Sequence, residues 1–173
     1  STGGLVITAE QGVVDIETEV AQLNVTNNTG TPAGNIVINE ADDVLLVGNF
    51  FNAATNGTIA LTTADGSIDT GTVAVSTQDG AITLTAGDTG SNNGSITVGT
   101  NGIASNGAGA GDIILNAADG VALGGNVNAL ADTVTINADT GDADNAGAIS
   151  RTGGTVSGSS IDLDAATGIV AVT

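Results

Sequence analysis

The sequence predicts an all-β chain wound as a parallel β-helix, a β-solenoid of about seven triangular coils of roughly 21 to 31 residues. Three observations lead there. First, a five-residue phrase with apolar residues at alternate positions recurs seven times: Leu5–Ala9, Ile36–Glu40, Ile59–Thr63, Ile82–Ala86, Ile113–Ala117, Val134–Ala138 and Ile161–Ala165. Period two is the signature of a strand with one face inward. The starts are 31, 23, 23, 31, 21 and 27 residues apart, a lap of chain with occasional insertions. Second, the apolar content is almost wholly Val, Ile, Leu and Ala: there are two Phe, and no Trp, Tyr or Met. Small uniform side chains suit a thin repetitive core better than an irregular globular one. Third, glycine returns at a set place after the strands, where a sharp corner calls for positive φ.

Taken in order, residues 1 to 16 supply the strand Leu5–Ala9, a turn at Glu10–Gly12 and a second short strand at Val13–Ile16. The same succession of phrase, turn and strand returns at Ala64–Ile68, Ala117–Leu123 and Ala165–Val170. A third, weaker strand is expected at Leu23–Val25, Val73–Val75 and Val127–Leu130, which completes a triangle. Thr26–Asn35, Gly87–Gly94 and Asp139–Gly147 are rich in Gly, Asn, Asp and Thr, and are read as insertions leaving the corners. Arg151–Ser160 has the poorest pattern and reads as a loosened turn. No linker divides the chain, so residues 1–173 are expected to form a single solenoid domain. Its beginning, without a signal-like segment, reads as a processed mature chain or a slice of a longer one.

If laps stack, Ile59, Ile82, Ile113 and Val134 must share one interior file, each lap hydrogen-bonded to the next at about 4.8 Å. One lap alone does not bury enough aliphatic surface to offset the ordering of its backbone; adjacent laps supply the rest. The outward file Thr8, Asn39, Thr62, Thr85, Asn116, Asn137, Asp164 is then expected to hydrogen-bond from lap to lap. Val6, Val37 and Ile114 should face out, with one of Phe50 and Phe51, as a lateral contact between rods.

One Lys or Arg against 19 Asp or Glu gives a net charge of −18, with Arg151 the sole basic side chain. That balance excludes nucleic acid, whose binding depends on neutralising phosphates, and disfavours an anionic membrane surface. No apolar run approaches the length of a membrane-spanning helix, and no cysteine is present.

The phrases GDIILNAADGVALGG, DGAITLTAGDTG and GSITV resemble the repeats of the filamentous haemagglutinin family and of related β-strand-repeat regions in giant bacterial secreted proteins. The resemblance covers most of the chain. It implies a right-handed β-solenoid at the cell surface or released from it, usually the shaft of an adhesin or fibre. Coil length varies more here than in regular haemagglutinin repeats, and the family's secretion domain is absent from the sequence. The family's shaft has no catalytic residue to carry over.

Residue chemistry agrees with a non-enzymatic role. Without His, Cys or Tyr, and with no Lys, nucleophiles and bases reduce to Ser, Thr and carboxylates. Asp162 and Asp164 share an outward face at carboxylate-pair spacing, roughly 6 to 7 Å, but no aromatic platform accompanies them to hold a sugar ring. No cofactor is required. Asp139, Asp142 and Asp144 are the candidate calcium ligands, hard oxygen donors on a Gly-containing insertion, with turn formation as the competing role of the same residues. Asn24, Asn27, Asn56 and Asn93 begin glycosylation sequons. The expected function is a structural subunit or shaft segment of an extracellular or cell-surface fibre. Its expected partner is itself, stacked end to end, or neighbouring repeats of the same protein. The alternative is an adhesin module of a giant secreted protein binding a ligand or a host or cell-surface glycan, with Gly87–Gly94 a contacting loop.

Overall fold

The computed structural model describes residues 3–10, 12–28, 34–90, 94–107, 109, 111–141 and 146–170. Every regular element among them is a β-strand. The chain opens with β1 (Gly4–Ala9), followed by two turns of two long strands each: β2 (Val14–Thr18) with β3 (Gln22–Asn27), and β4 (Ile36–Glu40) with β5 (Val44–Asn52). Each later turn has three strands. These are β6 (Ile59–Thr63), β7 (Ile68–Asp69) and β8 (Val75–Thr77), then β9 (Ile82–Ala86), β10 (Ile96–Val98) and β11 (Ile103–Ser105). Next come β12 (Ile113–Ala117), β13 (Val121–Leu123) and β14 (Val127–Asn128), then β15 (Thr133–Ala138), β16 (Ala148–Arg151) and β17 (Val156–Ser157). β18 (Ser160–Ala165) and β19 (Gly168–Val170) begin a further lap.

All pairing is parallel, and each strand lies on the equivalent strand of the next lap. One sheet stacks β2, β4, β6, β9, β12, β15 and β18. The other forks at β5. Its first arm continues through β7, β10, β13, β16 and β19, its second through β8, β11, β14 and β17. The fork is where the long strand of the early turns becomes two short ones with a corner between. Gly48, at φ 69°, begins that corner, and the β3–β5 register slips there, between Leu23 and Val25.

The interior is a set of vertical files. Ile59 pairs with Ile82, Ile82 with Ile113 and Ile113 with Val134, so the expected file exists, and its members are at most 1% exposed. Val25, Phe50, Val75, Ile103 and Val127 form the matching file of the second arm, all buried. Phe50 points in and Phe51 out, as alternation requires. Glycines stack at the corner entering the seven-stranded sheet. A Cβ on Gly80 would lie 2.0 Å from the Gly57 carbonyl oxygen, and one on Gly57 would lie 2.5 Å from that of Gly34. No other residue fits a corner where successive backbones approach so closely.

Four expectations need correction. The turns number about six, not seven, because seven strands in a sheet bound six laps. The phrase Leu5–Ala9 does not head the repeated file: β1 lies on β3, with Leu5 over Leu23 and Ile7 over Val25, and the head of the seven-stranded sheet is β2. Both segments alternate equally well, and each has a glycine two residues before it, Gly3 before Leu5 and Gly12 before Val14, so the local sequence does not separate them. The third strands are displaced: β3 is longer than Leu23–Val25 and takes Thr26 and Asn27 from the expected insertion. Val73 instead closes a turn onto the Thr70 carbonyl, and Leu130 leaves β14 at φ 48°. Lastly, Arg151–Ser160 is not loose: it holds β17, and the Arg151 guanidinium donates to the Gly154 carbonyl, 2.6 Å from Nε.

Candidate functional site

A solenoid offers three kinds of surface for chemistry: its corners, its outward files and its ends. The corner leaving the seven-stranded sheet carries the carboxylates. Asp139 sits there at φ 78°, just past β15, with its amide donating to the Asp119 carbonyl on the lap below. Asp88 occupies the corresponding corner of an earlier lap, and one carboxylate oxygen of each of Asp88, Asp119 and Asp139 is shut away from solvent. Asp142 and Asp144, the other candidate calcium ligands, lie outside the described residues. Among the described residues, no three acidic side chains converge as a metal site would require.

Buried polar side chains line two corners and are structural. Asn27, Asn52, Thr77 and Ser105 form one file at the end of the second arm. Asn52 is saturated: its Oδ1 accepts from Asn27 Nδ2 at 3.2 Å and Ala54 N at 3.0 Å, and its Nδ2 donates to Gly34 O at 2.7 Å and Thr58 O at 2.9 Å. Asn27 is fully buried, so its sequon cannot carry a glycan in the folded chain. At the opposite corner Glu40 is buried in the file Thr18, Glu40, Thr63. Its Oε1 accepts from Val20 N at 2.9 Å and Ala41 N at 3.1 Å, and its Oε2 accepts the Thr18 hydroxyl. Donors from two laps therefore satisfy this carboxylate. Composition signalled none of these partnerships.

The outward file differs from expectation in its head. It reads Glu17, Asn39, Thr62, Thr85, Asn116, Asn137, Asp164, with Thr8 instead over Thr26 in the other sheet. Asn137 Nδ2 donates to Asn116 Oδ1 at 2.8 Å, the expected bond between laps. The parallel file reads Asp15, Val37, Ala60, Thr83, Ile114, Thr135, Asp162. Both files carry a carboxylate at each extreme and none between. Val6 is exposed; Val37 and Ile114 are half-covered by their neighbours in the sheet. Phe51, also half-covered, borders a groove with Asn28, Asn49, Ser76 and Asn101.

The ends differ from the middle in what they leave uncovered. Ile161, in the same file as Val134, is 47% exposed, and Ile169 is 45% exposed on the last strand of the first arm. Nothing among the described residues folds over them. No family model, curated protein or solved structure matches the chain, so its likeness to haemagglutinin-type repeats rests on the phrases quoted above.

Proposed function

We propose that this chain is a structural element of an extracellular or cell-surface fibre, a stiff shaft segment that continues end to end through its exposed solenoid edges. The observation that carries the reading is the course of the interior files, which run to the last lap with aliphatic side chains still open to water at Ile161 and Ile169. Open parallel edges are templates for another strand, and uncovered aliphatic files add a hydrophobic drive in the same direction. Backbone ladders along the axis resist bending and stretching, which is the mechanical property a shaft uses. The role needs no cofactor, and an enzymatic one finds little support in a chain without His, Cys or Lys.

The test is to concentrate the purified chain in about 1 M NaCl, where charges are screened beyond about 3 Å, and to follow it by negative-stain microscopy and sedimentation velocity. Unbranched rods that lengthen with concentration support the reading. A chain that stays monomeric there, but is retained by a glycan or cell surface, would replace it with the adhesin module.

A further inference from the structure

Both ends of the rod are stepped. Gly4 and Val170 belong to one register file, linked through Gln22, Leu45 and Asp69 at one end and Ser150 at the other. At the far end, β18 and β19 begin a lap whose second arm has, among the described residues, no strand later than β17. At the near end, β1 precedes β2, and its Ile7 lies in the second-arm file over Val25. A second copy placed on the same axis takes up the lap near Val170. Its β2 lies on β18, so that Val14 meets Ile161 and Ile16 meets Leu163; its Gly4 comes to the place that Val170 fills, so the junction is made through the seven-stranded sheet. Such a contact is heterologous and repeats without closing, as a filament requires.

The same registry brings Asp15 onto Asp162 and Glu17 onto Asp164. All four are exposed at the ends of the outward files, and stacked strands hold such residues about 4.8 Å apart. Like charges directly opposite one another destabilise a strand pair. Within the rod the same two files place only Val, Ile, Ala, Thr and Asn on one another. Carboxylates are thus confined to the positions that meet only when two copies join.

We propose that these four carboxylates gate axial joining, holding copies apart at low ionic strength and letting them join when the charges are screened. This inference rests on the end-to-end reading above. The test compares three proteins by sedimentation velocity and microscopy at neutral pH, in about 10 mM and about 1 M NaCl, where the screening length falls from about 30 Å to about 3 Å. One is the native chain. The second carries Asp15→Asn, Glu17→Gln, Asp162→Asn and Asp164→Asn. The third carries Asp42→Asn, Asp43→Asn, Asp69→Asn and Asp112→Asn, which removes the same charge from mid-rod and leaves an acceptor oxygen at each position.

At low salt the end-neutralised protein is expected to form rods at a concentration about tenfold below that of the other two, and high salt is expected to narrow the gap. Equal elongation of the end-neutralised and mid-rod variants would overturn the gate while leaving axial joining intact. So would rods of the native chain at low salt that match those of the end-neutralised protein. Absence of rods from all three proteins at both salts would overturn axial joining and the gate with it.

Discussion

The first three laps and the later ones solve the same corner differently. The third inward file of the seven-stranded sheet reads Thr18, Glu40, Thr63 and then Ala86, Ala117, Ala138, Ala165. In the early laps the side chain reaches past the strand and fixes the corner by hydrogen bonds, Glu40 to Val20 and Ala41, Thr63 to the Gly66 carbonyl. In the later laps alanine only fills space, and the corner is held from beyond the file, as where Thr140 donates both its amide and its hydroxyl to the Ala117 carbonyl, at 2.9 and 2.8 Å. The two insertions at this corner, residues 87–94 and 139–147, both follow an alanine. The corner after Ala117 is short, so alanine permits an insertion without forcing one. Polar corners specify the path of the chain; alanine corners tolerate variation in it.

The strongest way to break this contrast is to put an early-lap residue into a late lap. Ala117→Glu places a carboxylate at a fully buried position between Ala86 and Ala138, without the donors that surround Glu40. An unpaired buried charge costs several kcal/mol, so a loss of about 4 kcal/mol or failure to fold is expected in urea unfolding. A loss below about 1 kcal/mol would show the late corners to be open enough to hydrate the group. Asn52→Leu acts on the other polar corner with a smaller effect. The substitution fits a buried file but takes the acceptor from Ala54 N and Asn27 Nδ2, while Thr58 O keeps only the Ile36 amide, at 2.9 Å, and Gly34 O only Asn27 Nδ2, at 3.4 Å. Stranded buried groups of this kind bring the expected loss to about 3 kcal/mol, read as a lower urea midpoint at unchanged slope.

These corners also mark how far the sequence could be read. The interior files were legible because an aliphatic at every second position leaves one choice of inward face, and Ile59, Ile82, Ile113 and Val134 do stack. The head of the file was not, because Leu5–Ala9 and Val14–Thr18 alternate alike and only contact with a neighbouring lap distinguishes them. The end carboxylates were hidden by the same ambiguity: with Thr8 at the head of the outward file, Asp164 has no counterpart. Asn27, Asn52 and Glu40 read as loop or surface residues by type. Their inward position continues the alternation of Leu23 and Val25, of Ile36 and Ile38, and of Phe50; their partners, 18 to 25 positions away, are what no local pattern encodes. Of the candidate calcium ligands, the corner position of Asp139 was foreseen, whereas Asp142 and Asp144 fall outside the described residues.

Glu40→Gln asks the finest question, whether the early corner uses the charge of its side chain or only its shape. The amide keeps an oxygen where Val20 N and Ala41 N donate, and its NH2 takes the place of Oε2. The Thr18 hydroxyl, now the donor, then turns to accept instead. Every partner is retained, and only the charge-assisted strength of the bonds is lost, so a decrease of about 1 kcal/mol is expected. Glu40→Ala removes the acceptors as well and is expected to cost about 2 kcal/mol, since it takes the carboxylate from the half-buried Val20 N, whereas Ala41 N keeps the Thr18 carbonyl at 3.1 Å. If the two variants proved equally unstable by urea unfolding, negative charge would be what holds the chain at this corner, and shape alone would not explain why Thr18 and Thr63 serve above and below it.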